Sequence, residues 1–393
     1  MKLVILHRRL VQGGAERQLV ALADGLMRRG HEIVVLTFYG GGPLEADLLA
    51  TGARLVDLRK TGRWDVGPFL IRLARALRRE RPDVVKGYLP FQNTMLSLLR
   101  PVHRAKVVWA LSSSANPARR RSKMQLIDRW LERTLRRTPD AIIPNSHAGR
   151  DHARELGFPG AKMTVIPNGV DTETFRRDEA GRNRLRDEWG VAEGDLLIGR
   201  VGRLDVQKDY ATGLRALALL TATHPEARFV AVGRDAGEEP SLRRLADDLG
   251  VAERVIWAGT RVEMPAVYSA MDIHLSTSQY SEGTPNVVGE AMACGVPCVV
   301  TDVGDCARAA GPLGLAVPPR DPAAMAAALA GTADQLAWGE VDRAALRAFV
   351  LERFSLEELA RKTQAVLAGV LAPSTLTPNP SPDHGRGENV AAS

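Results

Sequence analysis

Two α/β domains, each built on a parallel sheet and facing the other across a cleft, are the fold this sequence predicts. Three observations carry that prediction. Strand-like apolar runs alternate with helix-like runs from end to end, the pattern of βαβ units and parallel sheets. The length of 393 residues exceeds one typical domain. A charged segment with little apolar periodicity, Asn168 through Gly190, divides the chain near its middle as a linker.

The elements follow in order. In a first domain, 1–180, strands are expected at Leu3–Leu6, Ile33–Phe38, Val84–Lys86, Lys106–Leu111, Ala141–Ile143 and Thr164–Ile166. Helices are expected between them at Glu16–Arg28, Pro68–Arg79 and Met124–Arg136. A second domain, 190–354, restarts at Leu196–Val201 and continues with strands at Arg228–Val232, Val255–Trp257, Asp272–Leu275 and Pro297–Val300. Its helices fall at Tyr210–Leu220, Pro240–Leu249, Pro285–Ala293 and Ala323–Ala330. Leu356, Leu359, Val366 and Val370 form one apolar stripe, so 355–371 reads as an amphipathic helix packing back towards the first domain. The tail 372–393, rich in Pro, Ser and Gly, is expected to be disordered.

Composition narrows the function classes. The chain is 45% hydrophobic and 25% charged, as globular proteins are. It has no uncharged apolar run of about 18 residues, so no membrane-spanning helix is expected. Met1–Leu6 is short for a signal-peptide core and His7-Arg8-Arg9 follows at once, so a cytoplasmic location is expected. Cys294, Cys298 and Cys306 read as small buried hydrophobes, and no histidine sits nearby at metal-ligand spacing. The net charge of +7 hides an asymmetry: residues 1–180 carry 32 Lys and Arg against 18 Asp and Glu, the remainder 21 against 28. The basic half suits an anionic surface. Its densest stretch, 119–137, holds eight cations and two acids and suits lipid head groups or a lipid-diphosphate. Aromatic interleaving is absent there, which disfavours nucleic acid.

Four loops at strand ends carry candidate chemistry. Gln12-Gly13-Gly14-Ala15-Glu16-Arg17 follows the first strand and opens a helix, so backbone can approach an anion closely. It is not Gly-x-Gly-x-x-Gly, which argues against a dinucleotide. After the second domain's first strand, Arg203 and Lys208 can converge on a diphosphate, one as a fork and one as a point charge. Trp257-Ala258-Gly259-Thr260-Arg261-Val262 lies where backbone groups could read a base edge. The fourth, Ser281 to Glu290, places two carboxylates eight positions apart around a helix start, with Thr284 as expected N-cap and Pro285 as first helical residue. Asn286 and Glu290 share one face of that helix. Helix-start amides suit phosphate and carboxylates suit hydroxyls, so a nucleotide-sugar fits the set.

Taken together, these motifs resemble the family 4 retaining glycosyltransferases of the GT-B fold, which has two Rossmann-like domains. The resemblance runs through Gly13-Gly14-Ala15-Glu16, Pro144-Asn145-Ser146, Val165 to Asp171 with Phe175, Gly202-Arg203 with Gln207-Lys208, and Glu282 with Glu290 ahead of Ala291, Ala293, Gly295 and Pro297. It implies that a nucleoside-diphosphate sugar binds mainly to the second domain and the acceptor to the first. Arg203 and Lys208 would hold the diphosphate, with Gly13 and Gly14 approaching it across the cleft. Glu290 would accept from the ribose and Glu282 would contact the sugar. Backbone of Gly283, Thr284, Asn286 and Val287 would meet sugar and phosphate, and the base would lie near Arg261 and Val262. The resemblance also implies retention of anomeric configuration without metal or cofactor.

Chemistry agrees with that implication. Glycosyl transfer passes through an oxocarbenium-like state, and the charge growing on the leaving diphosphate suits Arg203, Lys208 and a helix N-terminus. With no evident enzymic nucleophile, Glu282, Arg203 and Lys208 are the expected catalytic group, working by front-face attack. One departure matters: many relatives carry a histidine where this chain has Trp109-Ala110-Leu111-Ser112-Ser113-Ser114. Ser112, Ser113 and Asn145 are therefore the acceptor-side candidates. His31 reads as a strand-entry residue, His274 as a core histidine, and His147 as a residue that could face the cleft. The expected activity is transfer of a hexose-type sugar from a UDP- or GDP-linked donor to a glycan or lipid-linked acceptor, from the cytoplasmic face of a membrane. A nucleotide-sugar epimerase or hydrolase of the same architecture and a non-catalytic donor-binding subunit are the alternatives.

Overall fold

Runs such as Leu3-Val4-Ile5-Leu6 and Ile33-Val34-Val35-Leu36 are apolar at successive positions, and such runs are stable as strands only when both sheet faces are covered. A computed structural model of the chain describes residues 1–62, 64–111, 130–280 and 282–372. In it the first domain's strands are β1 (Lys2–His7), β2 (Glu32–Thr37), β3 (Arg54–Asp57), β4 (Val84–Gly87), β5 (Lys106–Leu111) and β6 (Ala141–Pro144). They lie in the order β3-β2-β1-β4-β5-β6. The second domain has β7 (Leu196–Val201), β8 (Ala227–Val232), β9 (Val255–Gly259), β10 (Ile273–Ser276), β11 (Cys298–Thr301) and β12 (Leu315–Val317). Its order, β12-β11-β10-β7-β8-β9, is the same arrangement seen from the other edge. Neighbouring strands within each sheet run parallel. Helices cover both faces: Val4, Leu6 and Trp109 enter one core layer of the first domain, Leu3, Ile5 and Val108 the other. The architecture is GT-B, two Rossmann-like domains with parallel sheets.

Strand order reverses between β1 and β4, and again between β7 and β10. Open α/β sheets hold ligands at the carboxyl ends of strands beside such reversals. The Gly13-Gly14 loop, the end of β4, the Gly202–Lys208 segment and the 277–285 loop all stand at these two points.

Several elements depart from expectation. Thr164–Ile166 runs beside β6, its amides donating to Ile142 and Pro144 carbonyls at 3.0 Å, yet forms no strand. Pro144 has no N–H to return a ladder bond, and Pro167 ends the run. Strands β3 and β12 went unforeseen because they are three- and four-residue edge strands, partly exposed. The expected linker contains a helix, Glu179–Glu188, that belongs to the second domain. Its Leu185 and the following Trp189 are in that domain's core, and Arg182 and Arg186 bond Asp272 at 2.8 and 3.0 Å. Most of the Met124–Arg136 helix, the 119–129 basic stretch and the tail from 373 lie outside the described residues.

The chain passes between its domains twice. The outbound crossing at Val170 and the return at Phe354–Leu356 bond each other, Val170 N to Phe354 O at 2.6 Å and Leu356 N to Val170 O at 3.2 Å. After the return, the helix Leu356–Leu371 packs on Gly14–Arg28, with Leu367 wholly buried in the first domain's core. Arg29 bonds Gln364 at 2.9 Å and pairs with Glu357. Leu367→Ala is expected to destabilise the first domain by roughly 2–5 kcal/mol; a urea titration that leaves that domain's midpoint unmoved would refute the packing role.

Candidate functional site

The second domain's side of the cleft is organised by a buried cation. Arg200, on β7 and 1% exposed, donates to Lys208 O at 3.1 Å, to Leu275 O at 3.4 Å and to Ser278 Oγ at 3.3 Å. Its guanidinium stacks on the Tyr210 ring, 4.9 Å from the centroid. Arg200 thus ties the Val206–Lys208 turn to the end of β10. Asp205 accepts from the Lys208 amide at 3.0 Å and fixes the turn. Lys208 Nζ is ion-paired to the Glu282 carboxylate, which also accepts from Ser278 Oγ at 2.6 Å. Glu282 is buried, and the loop after β11 backs it closely. A Cβ on Gly304, at φ +61°, would stand 2.0 Å from Glu282 O, so this approach requires glycine.

The first domain meets this floor through a seam of hydrogen bonds. Thr284 Oγ1 donates to Asn145 O at 2.6 Å. Asp305 accepts from the His147 and Ala148 amides at 2.6 and 2.9 Å, capping the helix His147–Glu155 from the other domain. Asn168 Nδ2 donates to Asn286 Oδ1 at 2.9 Å, and Gln18 makes a reciprocal pair with the backbone of Gly169 at 2.7 and 2.8 Å. Gly14 lies against Asn286, whose Nδ2 is 3.7 Å from where a Cβ would stand. Below the glycine loop, His7 Nε2 contacts Glu16 Oε1 at 3.2 Å, and this bond pulls the Glu16 pKa down.

Between the two faces lies a cavity of about 460 Å³. Gly14, Asn145, Lys208, Glu282, Gly283, Thr284, Asn286 and Val287 line it, so these expected site residues are brought together. Gly13 precedes Gly14 in the same loop. Others are elsewhere. Arg203 does not converge with Lys208: it is half exposed and paired with Asp205 at 2.8 Å. Arg261 stacks 5.8 Å from Trp189 and pairs with Glu188 and Glu263, while Val262 is 90% exposed; neither lines the cavity. Glu290 also lies outside its lining and accepts from Tyr268 Oη at 2.7 Å, with burial raising its pKa. Thr284 does not cap the helix, because its hydroxyl is spent on Asn145; the helix starts one residue later, at Asn286, with Pro285 as N-cap. Ser112, Ser113 and Ser281 lie outside the described residues.

Sequence reasoning missed Lys86, Tyr88, His7 and Asp305. A lysine at the end of the buried run Val84-Val85-Lys86 was the available signal, since buried strands seldom carry charge. Lys86 is 4% exposed and lines the cavity, and burial pushes its pKa down to about 7. The histidines read from sequence are structural: His31 directly precedes β2, and His274 is buried on β10 with its pKa pushed to about 3. At the helix start it is the backbone amide of His147 that bonds the facing domain. The three cysteines are buried free thiols, and burial raises Cys294 and Cys306 to about 12. Among the described residues no cluster of His, Cys, Asp and Glu is arranged to hold a metal ion, and no helix is long and apolar enough to cross a membrane.

Comparison with known proteins gives two family matches in tandem, Glycosyltransferase Family 4 over residues 12–174 and Glycosyl transferases group 1 over residues 195–335. A D-inositol 3-phosphate glycosyltransferase of Acidothermus cellulolyticus is 34% identical over 223 residues, 53% of this chain and 48% of that protein. A UDP-Gal:alpha-D-GlcNAc-diphosphoundecaprenol alpha-1,3-galactosyltransferase of Escherichia coli is 25% identical over 60% of this chain and 61% of its own. The chain thus spans about half the length of the curated relatives it matches. Among solved structures, Anabaena Alr3699/HepE in complex with UDP superposes with a TM-score of 0.82 at 21% identity, covering 94% of this chain and 100% of that one.

The buried lysine sets a pH-dependent stability. Its pKa is near 7 when folded and near the usual 10.5 when unfolded, so its burial cost is complete below pH 7 and fades as pH rises towards 10.5. Lys86→Met should therefore raise the melting temperature at pH 6, by on the order of a few kcal/mol of stability, and raise it less at pH 9. A gain that grows with pH would contradict the assignment.

Proposed function

Because the chain belongs to the family 4, group 1 glycosyltransferases, we propose that it transfers a hexose-type sugar from a nucleoside-diphosphate sugar to a glycan or lipid-linked acceptor. The observation that carries this reading is the interdomain cavity, where the Lys208–Glu282 pair and the start of the Asn286–Ala293 helix face the Gly14 loop. UDP is the first nucleotide to test, since it is named for the Escherichia coli relative and bound by Alr3699/HepE; GDP is the second.

The proposed roles follow from charge. The donor diphosphate competes with Glu282 for Lys208, leaving the carboxylate free to accept from sugar hydroxyls. Amides at the start of the Asn286–Ala293 helix, whose first turn has no side-chain cap, meet the phosphate, and Gly13 and Gly14 close on it from the first domain. Arg203 reaches in by releasing Asp205, a half-exposed contact with little holding energy. Glu290 keeps one oxygen on Tyr268 and offers the other to the ribose. The base lies near Arg261 and Val262. As the glycosidic bond breaks, the leaving diphosphate is neutralised by these cations and helix amides without a divalent metal. The acceptor hydroxyl then attacks the same face and gives its proton to that phosphate, with retention. The basic first half, with Trp64 and Trp130 exposed on it, would rest on an anionic membrane at the cytoplasmic face.

Replacing Lys208 by Ala should lower kcat by about 10²–10³. Glu290→Ala should weaken UDP or GDP at least tenfold by calorimetry and abolish preference for the ribo- over the 2′-deoxynucleotide; unchanged affinity overturns the ribose assignment. Transfer to an acceptor must exceed release of free sugar, since a hydrolase would reverse that order. Trapping a sugar–protein adduct would rule out front-face attack. Binding to vesicles rich in phosphatidylglycerol should fall steeply between low and 0.5 M salt, as the Debye length shrinks to a few Å; salt-independent binding argues against a charged docking face.

A further inference from the structure

Lys86 is not among the residues assigned above to the donor, yet it lines the same cavity. It stands at the carboxyl end of β4, beside the reversal in strand order, and is 4% exposed. Each of the six other described lysines meets an oxygen, whether of a carboxylate or of a backbone carbonyl. Lys86, the most deeply buried of them, has none among the described residues; its ammonium lies over the Tyr88 ring, 4.3 Å from the centroid. The one carboxylate that lines the cavity, Glu282, is paired with Lys208. Of the polar side chains in the same lining, Gln18 is bonded to Gly169 and Asn168 to Asn286. A largely buried lysine whose ammonium meets only a ring face is costly, and an anion bound in the cavity it lines would offset that cost.

The donor diphosphate is assigned to Lys208 at the other wall, so a second anion must come from elsewhere. We propose that Lys86 anchors a phosphate group carried by the acceptor, seated against Tyr88 in the first-domain half of the interdomain cavity. This rests on the glycosyltransferase reading and narrows its acceptor to phosphate-bearing molecules, either a soluble sugar or cyclitol phosphate or a lipid diphosphate. A phosphate there pairs with the ammonium form, so binding takes up a proton wherever free Lys86 is partly neutral.

Only eight lysines occur in 393 residues, so ¹³Cε-lysine NMR of the full chain can resolve Lys86, identified by the signal that Lys86→Met removes. With UDP held at saturation to fill the donor site, inorganic pyrophosphate should raise the Lys86 titration midpoint by about one unit or more. Parallel arms with a hexose 1-phosphate and with an isoprenyl diphosphate in phosphatidylcholine vesicles identify the source, and unphosphorylated hexose should leave the midpoint in place. Lys86→Met should bind UDP as the unsubstituted chain does while losing the added anion; Lys86→Arg should keep both. A midpoint unmoved by all three anions, with UDP bound, overturns the proposal. If UDP and GDP both fail to bind, the donor reading falls, and the same titration without nucleotide still decides the role of Lys86.

Discussion

The pairing of the two interdomain crossings is the constraint on which the site depends. Val170 bonds Phe354 and Leu356, so the outbound and returning chains form one short parallel seam rather than two independent tethers. The seam sits directly under the helix that opens at Asn286: a Cβ on Gly289 would stand 2.8 Å from Val170 Cγ2. Both interdomain crossings therefore meet where this helix is anchored. Gln18 grips Gly169 on the first-domain side, and Arg347 donates to Thr172 O and Phe175 O on the second. Residues contributed from chain positions hundreds apart therefore keep a common reference point.

Around that seam, buried positive charge is distributed with a clear division of labour. Arg200 donates to carbonyl and hydroxyl oxygens from all three of its nitrogens and acts as scaffold, holding the turn that carries Lys208. Lys208 is compensated by one carboxylate, an arrangement a diphosphate can exchange into. Among the described residues Lys86 meets only an aromatic face. The three cations thus differ in how far their donors are satisfied, and the proposed ligand contacts fall on the less satisfied two.

The fold was largely legible in the sequence because parallel strands buried on both faces leave continuous apolar runs; Lys106–Leu111 and Leu196–Val201 coincide with β5 and β7. What escaped was either short and exposed, as β3 and β12 are, or dependent on partners remote in sequence. The helix Glu179–Glu188 looks like linker by composition because its burial rests on two arginines bonding Asp272. Lys208, Glu282 and Asn286, picked out by residue type and loop position, do come together in the lining of one cavity. The sequence could not show that Arg203 and Arg261 stand outside that lining, paired with Asp205 and Glu188, because ion-pair geometry has no sequence period. Asp305 was invisible for a similar reason: it caps a helix of the other domain.

The most direct test of the account is a crystal structure of the chain with UDP bound. Diphosphate oxygens are expected within hydrogen-bond distance of Lys208 Nζ and of the amides opening the Asn286–Ala293 helix, with Glu282 displaced from Lys208 and a ribose hydroxyl on Glu290. A nucleotide bound outside the cleft, with the Lys208–Glu282 pair intact, would contradict it.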